Sequence, residues 1–357
     1  MRHYDWCYVS GRVNVLECSL LSSNFFERLL FTDDFKDVLA NLNNTPLKAY
    51  FTHAKHLYEF EKLLDDYYYN RLDEIRSLSQ DNAICDFFLI RNDLINLKRF
   101  IKSKAIGASV DKFFRGIMSR DEWDDVWQDK ATSLPEIFKE SVLFVKKVVL
   151  QHSHNQITPH ISPSSQGGGE VMVKNELLPF VIDFIFDGAY LRYIEGYYKK
   201  TDVEIVKRYL KLYQLMKGLE VIRRAISLKL DMQLLDQYFL EGFDKGHVFH
   251  KLAKNTVWAS EQTVRDVLIE THCKATLQGL LLSNLSRNIS FQYEVATDNY
   301  LLDMLRPVKY IPFGPERVFG YLCGLTTEVF NLKLLLGGKV HRVENDLLRE
   351  RLRKTYV

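Results

Sequence analysis

The sequence predicts an all-α protein. No proline falls between Pro46 and Pro135 or between Pro179 and Pro307, and the apolar residues of both intervals recur at steps of three and four. The strict alternation of a half-buried strand is nearly absent. Apolar residues make up 46% of the 357, enough for two or three modest cores or one elongated helical body, and too many for a disordered chain.

Taken along the chain, WCYVSGRVNVLECSLL opens with one apolar stripe, Trp6, Val9, Val13, Leu16 and Leu20. FFLIRNDLINLKRFIKSK (87–104) carries a second, and DEWDDVWQD reads as an acidic helix face held by Trp123 and Trp127. LPFVIDFIFDGAYLRYIEGYYKK (178–200) is apolar and aromatic around most of its circumference, which predicts a helix buried on several sides. Asp183 and Asp187 lie one turn apart on it and give it a polar stripe. LYQLMKGLEVIRRAISLK (212–229) and LCGLTTEVFNLKLLLGGK (322–339) repeat the helical spacing. Gly314-Pro315-Glu316 is expected to open the last long helix, with proline in the first turn where its missing N–H costs nothing, and Gly337-Gly338 to close it. HISPSSQGGGE (160–170) is the clearest break, a linker or surface loop, and RPVKYIPFGP (306–315) is a second. The expected organisation is therefore residues 1–159, the 160–170 linker, 171–305, and a segment 306–357 that packs with the N-terminal part.

Three segments align without a gap. Phe87, Ile90, Leu94, Leu97 and Ile101 fall opposite Leu212, Leu215, Leu219, Ile222 and Ile226, and opposite Leu322, Leu325, Val329, Leu332 and Leu336. Lys98, Arg223 and Lys333 follow the fourth apolar position each time, and Lys104, Lys229 and Lys339 close each segment. Shared basic positions on a shared stripe point to a repeated helical unit.

The chemistry-bearing patterns are weak. Gly338-Lys339 has Lys333 where a phosphate loop needs its first glycine and Val340 where it needs a hydroxyl. His152, His154 and His160 lie beside the linker with no carboxylate among them, and neither a metal site nor a bound cofactor is expected. Asp65-Asp66 and Asp124-Asp125 read as solvated helix surface, and Gly320-x-x-x-Gly324 as incidental spacing. Five scattered cysteines without a C-x-x-C pair suggest a reducing compartment. Neither a signal-peptide core nor a run of about 18 apolar residues is legible. A formal net charge of +2 is far from the excess that holds a protein on nucleic acid.

YVSGRVNVLE, DFFLIRNDLINLKRFIKSK, LPFVIDFIFDGAYLRYIEGYYK, FQYEVATDNYLLDMLRPVKYIPFGPERVFGYLCGLTTEVFNLKLLLGGKV and LLRERLRKTYV, in this order, resemble the C-type subunit of the V/A-type rotary ATPases, the relative of the d-type subunit of eukaryotic V-ATPases. The resemblance covers essentially the whole chain. It implies a funnel of helices with three similar subdomains about a pseudo-threefold axis. It also implies a non-catalytic role between the central shaft subunits and the membrane rotor ring, at the cytoplasmic side and peripheral to the membrane. Within these motifs and the aligned segments, Arg12, Lys98, Arg192, Arg223, Glu316, Glu328 and Lys333 are the candidate residues for contact with shaft or ring. The chain departs from the family pattern at Cys323-Gly324-Leu325-Thr326-Thr327, ahead of Glu328 and Asn331, where charged residues are usual, and in its triple-glycine linker. Other readings fit the same composition. A helical scaffold need bind no ring, an all-α magnesium-dependent enzyme would use Asp65-Asp66, and an RNA-binding repeat protein would use RNDLINLKRFIKSK.

Overall fold

The computed structural model describes residues 6–250 and 290–357, apart from 156–177 and positions 33, 55, 57–58, 80–81, 107–108, 111, 120, 131 and 229. Among the described residues every regular element is helical. In order these are α1 (Cys7–Glu17), α2 (Ser23–Leu30), α3 (Phe35–Asn43), α4 (Lys48–Phe51), α5 (Phe60–Leu78), α6 (Ala83–Ile106), α7 (Glu122–Trp127), α8 (Glu136–Asn155), α9 (Leu178–Lys200) and α10 (Glu204–Ser227). A short α11 (Met232–Leu234) runs into a π-helical turn (Leu235–Phe239). After it come α12 (Ser290–Leu305), a 3₁₀ turn (Arg306–Tyr310), α13 (Pro315–Val340) and α14 (Asn345–Arg351). The 160–170 segment lies outside the described residues. No described helix is long and apolar enough to cross a membrane.

Two compact units form. The first takes the described residues of Met1–Cys85, Asp202–Tyr209 and His272–Val357, and the second those of Asp86–Thr201 and Leu210–Thr271. The division falls inside α6 and inside α10.

In the first unit α13 is the central helix, packed on α1, α2, α5 and α14. Its stripe Leu322, Leu325, Leu332 and Leu336 is wholly buried and Val329 nearly so, each such side chain adding about 1.5–3 kcal/mol of burial as an upper estimate. The start is the expected one: Gly314 has φ 148°, a conformation open to glycine, and Pro315 occupies the first turn. The end is not. The helix runs through Gly337 and Gly338 and stops at a left-handed Arg342, φ 54°. There Val343 N–H reaches the Gly338 carbonyl at 2.8 Å and Arg342 N–H the Lys339 carbonyl at 3.2 Å, a Schellman closure with arginine in the usual glycine position. Gly338 serves packing instead, since a Cβ there would stand 2.4 Å from Leu348 Cδ2.

In the second unit α9 is buried on several sides, as its composition predicts, against α8 and the π-helical turn. Gly188 permits that second contact, because a Cβ on it would lie 2.5 Å from the Phe239 carbonyl oxygen. The stripes of α6 and α10 are buried from Phe87 to Ile101 and from Leu212 to Ile222. Phe100, Phe113 and Trp123 close the corner beside α7, the last two rings stacked 5.4 Å apart.

Candidate functional site

In the first unit the apolar packing of α13 encloses three polar groups. Glu328, only 4% exposed, accepts hydrogen bonds from the Leu21 backbone N–H and, at 3.0 Å, from the Tyr67 hydroxyl. Burial pushes its carboxyl up to about 7, against the pull of those two donors and of Arg71. One turn on, Asn331 holds a stretch of backbone by both of its amide atoms: Nδ2 donates to the Arg353 carbonyl and Oδ1 accepts from the Arg353 N–H, each at 2.9 Å. Near the start of the helix Arg317 pairs with Glu17. Both side chains are 8% exposed, and burial raises the Glu17 carboxyl despite the guanidinium. Arg317 also reaches the Ile311 carbonyl at 3.3 Å, so it steadies the segment that leads into its own helix.

The second unit repeats this arrangement on α6. Asp93 is fully buried and accepts from the backbone N–H groups of Ile117 at 2.7 Å and Met118 at 3.3 Å; burial brings its carboxyl to about 6. Asn96 clamps Phe114, donating to its carbonyl at 2.7 Å and accepting from its N–H at 2.8 Å. In the gapless alignment Asp93 stands opposite Glu328, and Asn96 opposite Asn331. In the middle segment the position of the acid is Gly218, whose missing Cβ is replaced by the ring of Phe249. Beside this lies a cluster of charges. Lys98 pairs with Asp187 and lies 3.9 Å from Asp183; Lys102 meets Asp183 at 2.7 Å and Arg224 meets Asp187 at 2.9 Å. The polar stripe of α9 thus faces cations of its own unit.

A long helix that buries an acid and an asparagine three residues apart is not diagnostic by itself; the match of the whole chain to a known family is. Residues 9–351 match the model of the ATP synthase (C/AC39) subunit. The chain belongs to that family. Comparison with individually curated proteins gives no match. As a member of the C/AC39 family the chain is a relative of the rotary V/A-type ATP synthase subunits, and the candidate residues can be placed on that footing.

Of these, Arg12, Glu316, Glu328 and Lys333 belong to the first unit and Lys98, Arg192 and Arg223 to the second. Arg12 pairs with Glu74, whose carboxyl is held below its usual range because two arginines, Arg12 and Arg71, outweigh its burial. Lys333 meets Asp65 at 2.6 Å, so one of the two aspartates considered for magnesium is engaged by a lysine. Among the described residues no group of three or more metal-ligating side chains forms; the side chains of His152 and His154, and all of His160, lie outside them. Arg192 donates to the Glu241 carbonyl at 2.6 Å and lies over the Phe243 ring, and burial lowers its pKa. Glu316 sits half-buried in the first turn of α13, beside Gly314, and Arg223 is half-buried on α10. Glu328 faces the core, not a surface.

The departure Cys323–Thr327 is also interior in its first half. Cys323, Gly324 and Leu325 are buried, while Thr326 and Thr327 return their hydroxyls to the Leu322 and Cys323 carbonyls at 2.8 and 3.0 Å. Gly320 and Gly324, incidental by spacing alone, form the bed of the Tyr356 ring. A Cβ on Gly324 would stand 2.7 Å from Tyr356 Cβ, and one on Gly320 would stand 2.7 Å from its hydroxyl. Sequence reading missed Asp93, Asn96 and the Arg317–Glu17 pair. For the first two a signal was present, the acid-x-x-Asn pattern shared by two aligned segments.

Proposed function

We propose that this chain is the non-catalytic rotor subunit that joins the central shaft of a V/A-type ATPase to its membrane rotor ring, so that ATP turnover and ion transport are linked. The match from residue 9 to residue 351 supports this reading, because it spans nearly all of the chain. The subunit would sit at the cytoplasmic side, peripheral to the membrane. The repeated cations Lys98, Arg223 and Lys333 are proposed to contribute to seating an acidic shaft tip, with Arg12, Arg192 and Glu316 as further contacts. Two of the repeated cations, Lys98 and Lys333, already have acids beside them, so they would act as part of paired clusters and add orientation more than raw affinity.

Co-purification tests the reading. The tagged chain, mixed with the purified shaft subunits and separately with detergent-solubilised rotor ring, is expected to retain both. Retention of neither at low salt overturns the assignment. Retention of one alone removes the coupling role and leaves a simple attachment.

A further inference from the structure

Residues 352–357 leave α14 through an extended Leu352 and lie against α12 and α13 without secondary structure of their own. Side chains hold their backbone. Asn331 takes both polar groups of Arg353, Asn299 Oδ1 accepts from the Lys354 N–H at 2.7 Å, and Arg306 donates to the Thr355 carbonyl at 2.6 Å. Their cations meet the acids of α12, Arg353 with Asp298 at 3.0 Å and Lys354 with Asp303 at 2.6 Å. The Arg353 guanidinium also lies 4.1 Å from the centroid of Phe330. Tyr356, 2% exposed, is the anchor on Gly320 and Gly324. A backbone gripped by side chains, a charged rim and one buried aromatic are the parts of a peptide–protein complex.

We propose that residues 352–357 are a built-in peptide ligand, and that the groove of α12 and α13 is a binding site for a basic peptide with a buried tyrosine. Seating this strap fixes α12. Asp298, Asn299 and Asp303 on that helix are all engaged by it, and α12 packs besides on the turn that follows it, on α13 and on α14. The bonds run from strap backbone to groove side chains, so docking is a binding equilibrium and can be reversed without melting a helix. The inference rests on the groove alone and not on the rotary assignment.

Hydrogen exchange on the full chain carries the test. Tyr356→Ala removes the anchor, and exchange across 290–305 is expected to quicken at least about tenfold while 60–78 holds its rate. An amidated hexapeptide, Leu-Arg-Lys-Thr-Tyr-Val, added to this variant is expected to bind saturably, more weakly as salt rises, and to return 290–305 towards the native rate. The same peptide with alanine for tyrosine is expected to do neither. Quickening spread evenly over the unit, or no binding by the hexapeptide, overturns the proposal. Where Tyr356→Ala does not fold, Asn299→Ala leaves the tyrosine seated and removes one backbone bond; selective quickening at 290–305 then supports the strap, and its absence overturns it.

Discussion

Replacing Glu328 with glutamine is expected to stabilise the first unit at neutral and alkaline pH. The folded carboxyl titrates at about 7 and an ordinary one at 4.5, a difference worth about 3 kcal/mol at ~1.4 kcal/mol per pH unit. The folded chain holds this proton more tightly than the unfolded chain. The stability it confers is therefore complete below about pH 4.5 and is lost as pH rises through 7. Glutamine never ionises, yet its oxygen can accept from Leu21 N–H and its amide can donate to a turned Tyr67 hydroxyl. Urea unfolding followed by circular dichroism from pH 5 to pH 8 should show the wild-type chain losing stability relative to Glu328→Gln. The gap should grow to about 1–3 kcal/mol, the lost charge-assisted bonds offsetting part of the gain. The comparison is needed because Asp93 and Glu17, also raised by burial, contribute slopes of the same sign in both proteins. Glu328→Ala should lie well below both, since it strands two buried donors at roughly 1–3 kcal/mol each. Parallel pH profiles for wild type and Glu328→Gln would refute the reasoning.

Gly324→Ala should lower the thermal midpoint, at a cost of about 1–3 kcal/mol, because its methyl group meets the Tyr356 ring root and not a flexible side-chain end; an unchanged midpoint would show that the ring has room to move. Asn96→Ala strips Phe114 of two bonds and should quicken amide exchange at 113–118 with a loss of roughly 1–3 kcal/mol. Asp187→Asn leaves Lys98 with only the distant Asp183 and weakens Arg224. Chemical denaturation should show a loss of about 1–2 kcal/mol, shrinking in added salt as screening grows.

The helical class was legible because each long helix carries its own stripe, and stripes such as Phe87 to Ile101 need only local spacing to be seen. The opening of α13 was legible for the same reason, since Gly314 and Pro315 act on the turn they occupy. What spacing could not show are bonds between residues far apart in the chain. Lys333 and Asp65, or Lys98 and Asp187, meet through packing and leave no local signature. The closing of α13 misled for a related reason. Gly337 and Gly338 look like a stop, but the need at 338 comes from Leu348 pressing on the helix, and the stop is taken by an arginine. The interior position of Glu328 was equally hidden, because a glutamate beside a stripe looks like a flank until Leu21 and Tyr67 arrive from elsewhere.

The asparagine clamps have a consequence for how this chain can vary. Asn96 and Asn331 recognise only an N–H and a C=O, groups that every residue but proline supplies. Phe114 and Arg353, the residues they hold, have nothing in common as side chains. The clamp itself therefore restricts the gripped residue only by excluding proline; at Arg353 the side chain is fixed separately, by Asp298 and the Phe330 ring. Along each gripped segment, constraint should fall on the side chains that fill space or pair, such as Phe113 against Trp123, Arg353 with Asp298 and Tyr356 on its glycines, and a substitution scan should find the exposed Phe114 far more permissive than the Asn96 that holds its backbone.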